Sequence, residues 1–517
     1  MLFGLALGAL AILAVLAMRP ALAQADHDVA GVSGSLSSGS GLGLSADLDD
    51  GLGLLGPPPT ALGVQTGSAE LGPGAGLESA AADDASGDFR SANFHKLDRA
   101  AIEMPGGELA QGSDLAFQGR TLIAGAYEGV GFFRIGDDRD AVRQVSFFDC
   151  PGSQGDVVVS GNYLFISIDT RSSNSGESPR CNNTPTTESP SSVGKEGLRI
   201  VDFSDRRNPR QVGFVETECG SHTQTLLPGQ RRSYIYVDSY PLTADAECTE
   251  LNHPEGEFSV IEFPTADPTR AKVVNVPDVL PPTVTPDTVG CHDTGVLPAR
   301  NLAVASCLGA FAVLDISDRA HPKTLSYAQN PAIELDHSAQ LTWDGKYAVI
   351  GDEHAGAAGG GGCSPNQDSP VGAMWFYDIT DRSSPTLEGS YSLPRVPPVD
   401  SAEEVERFRC TTHNYAILPM AERSRYIAVS PYYSGGLSVV DFSDPSQPEE
   451  LGYYLPQVEG ENPDMWSGYW YNGRIYTNEH ASQLGVSAFE MDGLGTGEVL
   501  SLGTEVNPQT QVRPRTP

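Results

Sequence analysis

A motif that recurs along the chain restricts the fold more than any other feature. In its clearest copies an apolar run ends in Asp. Phe or Ile comes next, then Ser or Thr, then a second Asp, and Pro stands four positions after this second Asp. The copies span residues 197–209, 312–322, 375–385 and 436–448. Asp caps a turn with its own side chain, and Pro favours a new extended segment. The recurrence therefore predicts a protein built from repeated β units.

Weaker copies extend the repeat to seven units. The first acidic position, or its equivalent, falls at Arg134, Asp202, Glu262, Asp315, Asp378, Asp441 and Glu490. A pair of short β segments precedes each position, as at 341–350, and another β segment follows, as at 211–215. Four strands in each of seven units predict an all-β, seven-bladed β-propeller over residues 95–505. An open solenoid of the same units is the alternative.

Composition and charge narrow the classes of function. The chain of 517 residues contains 57 Gly and 38 Pro, which disfavours a helical bundle because both residues interrupt helices. Its 67 acidic and 32 basic residues give a net charge of −35. Because such a chain repels phosphate backbones, we expect no nucleic-acid partner.

The N-terminal region indicates export. An apolar run, Leu2–Met18, precedes Ala21-Leu22-Ala23, so residues 1–23 are predicted to be a cleaved signal peptide, with a retained membrane anchor as the alternative. Residues 24–90 are rich in Gly, Ser and Ala and are predicted to be a disordered acidic spacer. Residues 506–517 are assigned to a C-terminal tail. We expect a secreted, periplasmic or cell-surface protein.

The cysteines support the same compartment. Eight cysteines in an exported chain suggest disulfide bonds. Pairing nearest neighbours along the chain gives one of 105 possible connectivities: Cys150 with Cys181, Cys219 with Cys248, Cys291 with Cys307, and Cys363 with Cys410.

Histidines recur at one position of the repeat. Four of them stand at the start of the first strand in consecutive units: His222, His292, His337 and His413. First strands line the channel of a propeller, so these side chains are expected to converge at one end of its axis. Two further pairs, Glu353-His354 and Glu479-His480, end second strands. Since the first two strands of a blade are antiparallel, these pairs are expected on the same face.

Converging histidines suggest metal chemistry. Neutral imidazoles are good ligands for Fe, Cu or Zn. The six histidines above are therefore candidate metal ligands, and Glu353 and Glu479 are candidate orienting or acid–base groups. The structural alternative is that each histidine donates to a neighbouring carbonyl and simply closes the channel mouth.

The repeat resembles that of the LVIVD-repeat family. The resemblance rests on residues 198–202, 311–315, 374–378 and 437–441, and on the Gly-Asn-Tyr and Gly-Lys-Tyr turns at 161–163 and 345–347. It implies a propeller that is exported and often attached to a surface, and it assigns no reaction.

Two hypotheses for function follow. The first is a surface or secreted binding or scaffold module with a histidine-rich axial pocket. Its unknown protein or small-molecule ligand would bind the face that carries the long insertions at 170–195, 239–256 and 353–370. The alternative is a metal-dependent oxidoreductase. Convergence of the imidazole nitrogens on a common point would favour a metal site, and separated rings would favour the scaffold.

Overall fold

The computed structural model describes most of the chain after residue 86. The described residues are 87–136, 141–169, 195–217, 219–240, 258–281, 284, 290–353, 372–395, 408–458, 462–512 and 514. All of them belong to one compact unit, whereas a second unit, Ala17–Ala75, falls outside them. The predicted signal peptide, nearly all of the spacer, most of the three long insertions and His354 also lie outside the described residues.

Seven antiparallel sheets form a seven-bladed β-propeller, which confirms the predicted fold. The strands are named in chain order. Two N-terminal strands are β1 (Phe89–Arg90) and β2 (Phe94–Ala100). Blade 1 contains β3 (Gly112–Gln118), β4 (Thr121–Ala126), β5 (Gly129–Ile135) and β6 (Val142–Asp149). Blade 2 contains β7 (Val157–Ser160), β8 (Tyr163–Ile168), β9 (Gly197–Asp202) and β10 (Arg210–Glu216). Blade 3 contains β11 (Thr223–Leu227), β12 (Arg232–Asp238), β13 (Phe258–Pro264) and β14 (Lys272–Asn275).

The remaining blades repeat the pattern. Blade 4 contains β15 (Asp293–Leu297), β16 (Leu302–Ser306), β17 (Phe311–Asp315) and β18 (Lys323–Ala328). Blade 5 contains β19 (Asp336–Leu341), β20 (Tyr347–Asp352), β21 (Met374–Asp378) and β22 (Thr386–Tyr391). Blade 6 contains β23 (Ala416–Ile417), β24 (Ile427–Pro431), β25 (Leu437–Asp441) and β26 (Glu449–Leu455). Blade 7 contains β27 (Met465–Tyr471), β28 (Arg474–Glu479) and β29 (Val486–Met491), and β30 (Glu505–Val506) follows. Short 3₁₀ helices occupy Pro268–Arg270 and Pro298–Arg300.

The first strands of the blades surround the axis. Each contacts the first strand of the next blade, from β3 through β7, β11, β15, β19 and β23 to β27, and β27 contacts β3. This closed ring rules out the open solenoid. The strand β2 pairs with β29 and completes blade 7, while β1 pairs with β26 of blade 6. The propeller therefore reaches beyond residues 95–505 at both ends.

In its four clear copies, the recurring motif forms the turn after the third strand of a blade. Its first Asp accepts a hydrogen bond from the backbone N–H two residues later, at 2.7–2.9 Å, in the pairs Asp202 with Ser204, Asp315 with Ser317, Asp378 with Thr380, and Asp441 with Ser443. The side chain thus substitutes for a backbone acceptor in the turn, as the sequence predicts.

Burial explains the residue pattern within a blade. In blade 4, every residue of β15 and β16 is buried, whereas Leu325 and Tyr327 of the outer strand β18 are 39% and 41% exposed. Apolar side chains pack between adjacent blades, as where Phe376 of blade 5 stacks on Phe442 after β25 at 4.5 Å between ring centroids. Inner strands therefore carry the core, and their ends are available for a site.

One predicted disulfide bond is confirmed. Cys291, just before β15, is bonded to Cys307, just after β16. Cys150, Cys219 and Cys410 are also disulfide-bonded, and their predicted partners lie outside the described residues. No helix in the described ranges is long and apolar enough to cross a membrane.

Candidate metal centre

The four repeated histidines lie at the same end of the channel. His222 and His292 directly precede β11 and β15, His337 is the second residue of β19, and His413 stands three residues before β23. All four are buried, at 1–3% exposure. Since the first strands of successive blades lie side by side around the axis, the shared repeat position brings these side chains together.

The imidazoles form a continuous arc across blades 3 to 6, here called the histidine arc (His222, His292, His337 and His413). Nε2 of His222 lies 2.9 Å from Nε2 of His292. The ring centroids of His292 and His337 are 3.6 Å apart, and those of His337 and His413 are 4.5 Å apart. The sequence-based expectation of convergence is therefore matched by the positions of these four rings.

In the two rings at the ends of the arc, His222 and His413, Nδ1 lies within hydrogen-bonding distance of an oxygen atom. Nδ1 of His413 lies 2.6 Å from the backbone oxygen of Trp466. A carbonyl only accepts, so Nδ1 carries the proton and Nε2 of the neutral ring is left with a lone pair. Nδ1 of His222 lies 3.3 Å from Oδ2 of Asp169, which favours the same tautomer. Carboxylate and carbonyl partners at the second nitrogen are typical of histidines that bind metals.

Glu353 joins the centre of the arc. It follows β20, which pairs with β19, so its carboxylate reaches the start of the neighbouring strand. Its Oε2 lies 3.4 Å from Nε2 of His337, while Nδ1 of His337 is 2.6 Å from the Ser338 hydroxyl. One ligand atom from each of His292, His337 and Glu353 lies within 4.8 Å of the others. These three residues form the three-ligand group.

Burial keeps three rings of the arc neutral. It lowers the pKa of His292 and His337 well below the ordinary value, and the neighbouring histidines lower both pKa values further. Burial also lowers the pKa of His413 to about 3, with a smaller contribution from Arg409. The rings of His292, His337 and His413 are consequently unprotonated at neutral pH, which is the form that binds metal.

Burial has the opposite effect on the pKa of the Glu353 carboxyl group. It raises the pKa of Glu353 to about 7, although the hydrogen bond from Tyr433 and the charge of Arg409 act against this rise. The Tyr433 hydroxyl donates to Oε1 of Glu353 at 2.5 Å, and the Arg409 guanidinium lies 4.3 Å from the centroid of the Tyr433 ring. A cation beside Glu353 would favour its ionised form.

Tyr433 is the site residue that the sequence analysis missed. It lies in the turn after β24 with a φ of 48°, a left-handed conformation that is uncommon for a tyrosine. The repeat consensus does not cover this turn, so its signal would be the Tyr432-Tyr433 pair itself, next to Ser434-Gly435-Gly436.

Glu479 and His480 occupy a neighbouring position. Oε2 of Glu479 accepts the backbone N–H of Asp464 at 3.2 Å, and burial raises the pKa of Glu479 to about 8. The His480 ring packs against Tyr127 at 4.7 Å, and its Nε2 lies 3.1 Å from the Gln111 amide nitrogen. Both residues are therefore outside the three-ligand group.

Trp466 separates His480 from the arc. Its ring centroid is 4.6 Å from that of His413 and 5.5 Å from that of His480. Burial lowers the pKa of His480, so this ring also stays neutral. The tryptophan marks the blade 7 end of the histidine arc.

Comparison with known proteins bears on the repeat and the fold. A model of the LVIVD repeat matches residues 151–170 and 425–455. These ranges include the 161–163 turn and strand β25, both of which carry the resemblance noted from the sequence. None of the curated proteins matches this chain.

Several solved structures show low similarity to this chain. The Cps50 (Swd1) propeller domain of Myceliophteria thermophila is 10% identical, with 73% of this chain and 96% of that chain covered and a TM-score of 0.43. The Dos1 propeller is 10% identical, with 76% and 82% covered and a TM-score of 0.43. A putative 6-phosphogluconolactonase from Bacteroides fragilis is 10% identical, with 78% and 97% covered and a TM-score of 0.44. Such distant likenesses assign no substrate or partner.

Proposed function

We propose that this LVIVD-repeat β-propeller is a metal-binding module. His292, His337 and Glu353 supply the central ligands, and His222 and His413 flank them. The convergence of the ligand atoms within 4.8 Å carries the proposal. Imidazole nitrogen with one carboxylate oxygen suits Fe, Cu or Zn, and these are the metals that we propose.

The hydrogen bonding of the arc supports a cation. Nδ1 of His292 is buried without a hydrogen-bond partner among the described residues, and its Nε2 faces the nitrogen of His222. Such a group loses hydration without compensation. Since Nε2 of His222 carries a lone pair, Nε2 of His292 donates to it and the lone pair of His292 lies on Nδ1. A metal ion that accepts this lone pair would remove the cost.

The structural alternative fits only part of the arc. It expects each histidine to donate to a backbone carbonyl, as Nδ1 of His413 does to the Trp466 oxygen. The ring contacts of His222, His292 and His337 are to side chains instead. This difference favours metal binding over a purely structural closure of the channel.

The proposal includes export but no reaction. All described cysteines are disulfide-bonded, which is typical of proteins in oxidising compartments and supports export. Nothing in the comparisons supports an oxidoreductase, so the proposal stops at metal binding. Recognition of a partner by the long insertions stays a prediction, because most of those residues lie outside the described ranges.

Metal titration tests the proposal. The chain, produced in an oxidising compartment, is analysed for metal by mass spectrometry, stripped with a chelator and titrated calorimetrically with Zn²⁺, Cu²⁺ and Fe²⁺. We expect one high-affinity ion per chain and a loss of more than about 100-fold in affinity for the His292→Ala/His337→Ala double variant, since it removes two direct ligands.

The matched control is His321→Ala. The His321 side chain is 65% exposed and contacts only Asp318 among the ion pairs described, so this variant should bind metal like the unaltered chain. Failure of the unaltered chain to bind any of the three ions, or equal affinity in the double variant, would contradict the proposal.

A further inference from the structure

A second feature of the channel lies at the end opposite the histidine arc. Residues 505–511, here called the channel segment, cross this end of the axis. Although five of these seven residues are polar, residues 506–511 are buried. Asn507, Gln509, Thr510 and Gln511 are between 2% and 6% exposed. A buried polar segment needs hydrogen-bond partners, and the surrounding blades provide them.

The segment begins as a strand against blade 1. In β30, Glu505 and Val506 pair with Gln118 and Phe117 of β3. The Asn507 side chain then bonds Val159 of blade 2 twice: Oδ1 accepts the Val159 N–H at 2.7 Å, and Nδ2 donates to the Val159 oxygen at 2.9 Å. The side-chain amide thus acts as a backbone group would in a paired strand.

The segment continues across three more blades. The Val296 N–H of blade 4 donates to the Gln509 oxygen at 2.9 Å, and the Gln511 N–H donates to the Val296 oxygen at 2.9 Å. The Thr510 hydroxyl donates to the Leu226 oxygen of blade 3 at 2.6 Å. Nε2 of Gln511 donates to the Leu341 oxygen of blade 5 at 2.5 Å.

These contacts lie at one level of the channel. Val159, Leu226, Val296 and Leu341 are each the last or second-to-last residue of a first strand, whereas the histidines stand at the beginnings of such strands. Leu226 lies four positions after His222. At 3.3 Å per residue, the segment and the arc are about 13 Å apart along the axis. The segment therefore covers the opposite mouth.

We propose that this mouth is a peptide-binding site that the channel segment occupies in cis. The ligand class is an extended peptide whose amide and hydroxyl side chains pair with backbone groups at the ends of the first strands. Recognition combines addition of a strand to β3 with side-chain pairing on the other blades, as in other strand-addition modes. The site is separate from the metal proposal and does not depend on it.

Asn507 is the position that tests chemical specificity. Asp at 507 would keep the acceptor for the Val159 N–H but lose the donor to the Val159 oxygen. It would also bring a carboxylate beside a buried carbonyl, and an unpaired buried charge is strongly unfavourable. A peptide site of the proposed kind must therefore discriminate strongly between Asn and Asp here.

The experiment starts from the full chain with a protease recognition sequence inserted after Gly497, an exposed residue. After cleavage, a fluorescent peptide with the sequence of residues 504–512 is added and its polarisation is measured. We expect it to exchange into the clipped protein, to be competed by the unlabelled peptide, and to be competed at least ten times less effectively by the same peptide carrying Asn507→Asp. The uncut chain should not bind it.

Hydrogen exchange of the unmodified chain gives an independent test. Amides of residues 510 and 511 should be protected, and in the full-length Asn507→Asp variant they should exchange at least ten times faster while amides of β16 and β20 stay protected. Rapid exchange of the segment in the unmodified chain, or equal competition by the Asn and Asp peptides, would overturn the proposal. Neither readout involves metal, so failure of the metal proposal leaves this test intact.

Discussion

Protonation decides what the buried side chains of the channel can do. Burial keeps the rings of His292, His337 and His413 neutral. It also raises the pKa of the Glu353 carboxyl group to about 7. Both shifts have the same origin, because removal from water disfavours the charged form of either kind of group. A bound cation would compensate the carboxylate charge without requiring charged imidazoles.

Glu353→Gln tests whether Glu353, and not the other buried glutamate Glu479, contributes to metal binding. The variant keeps the shape of the side chain but removes the charge next to His337, so metal affinity should fall about 10–100-fold. Glu479→Gln is the matched control, because Glu479 is also buried and lies outside the three-ligand group. Its affinity should change less than about threefold in the same calorimetric titration. Equal losses in the two variants would show that Glu353 has no special place at the metal.

Asp238→Asn tests the cost of a buried carboxyl group. Burial raises the pKa of Asp238 from 3.8 to about 7, against a hydrogen bond from Thr294 at 2.9 Å. The folded state therefore holds a proton that the unfolded chain has released. The stability from this proton is complete below pH 3.8 and is lost as the pH rises to about 7.

The expected change is large enough to measure. At about 1.4 kcal/mol per pKa unit, the free energy of unfolding of the unaltered chain should fall by on the order of 3 kcal/mol relative to Asp238→Asn between pH 5 and pH 8. Urea unfolding of the metal-free proteins at several pH values measures this. Glu498→Gln, at an exposed side chain, should show a constant difference. A pH-independent difference for Asp238→Asn would contradict the assigned protonation.

The arc could be predicted from the sequence because the repeat assigns each histidine a position within its blade. Once His222 and His292 share a position in neighbouring blades, the fold brings them together without further information. Glu353 followed from the antiparallel pairing of the first two strands. Tyr433 could not be derived in this way, since its contact depends on a turn that precedes the recurring Asp motif, with a positive φ in a residue that rarely adopts one.

At the scale of elements, the Asp turn gives the blades that carry it the same connection between the third and the outer strand. Each copy ends a third strand and directs the chain into the outer strand through one side-chain acceptor. Because each turn uses only local hydrogen bonds, sequence alone predicts it. The channel segment is the opposite case: its partners belong to five blades, and Asn507-Pro508-Gln509-Thr510-Gln511 has no apolar period that would mark it as buried.

The turns should contribute independently to stability. Asp202→Ala in blade 2 and Asp378→Ala in blade 5 each remove one turn hydrogen bond, at 2.9 and 2.7 Å. Each should lower the free energy of unfolding by about 1 kcal/mol. Because the two turns share no partner, the double variant should show the sum within about 0.5 kcal/mol. Urea unfolding checks this, and a large excess over the sum would indicate that the turns are coupled through the ring.

For the whole molecule, closure of the ring joins distant parts of the chain. Blade 7 takes its outer strand from β2, nearly 400 residues before β29. The ion pairs of Asp88 with Lys96 and Arg99 reinforce this N-terminal region. A fold closed in this way depends on a long-range pairing for the stability of its last blade, so a defect in β2 is expected to affect the entire ring.

Phe94→Ala tests this dependence. Phe94 of β2 is fully buried, and its ring lies 5.4 Å from Phe489 of β29 and 6.2 Å from Tyr454 of β26. Removal of the ring leaves a cavity between blades 6 and 7, which should lower the free energy of unfolding by about 3–5 kcal/mol. Leu97→Ala is the control on the same strand. Since Leu97 is 39% exposed, this variant should change stability by less than about 0.5 kcal/mol.

The measurement needs metal-free protein, because a ligand that binds only the folded state adds stability that masks the difference. If closure is cooperative, urea unfolding of Phe94→Ala followed by tryptophan fluorescence and by far-UV circular dichroism should shift together in a single transition. Two separated transitions would instead mean that blades 6 and 7 unfold before the rest of the ring. In that case the histidine arc, which ends in blade 6, would lose His413 before His222 and His292.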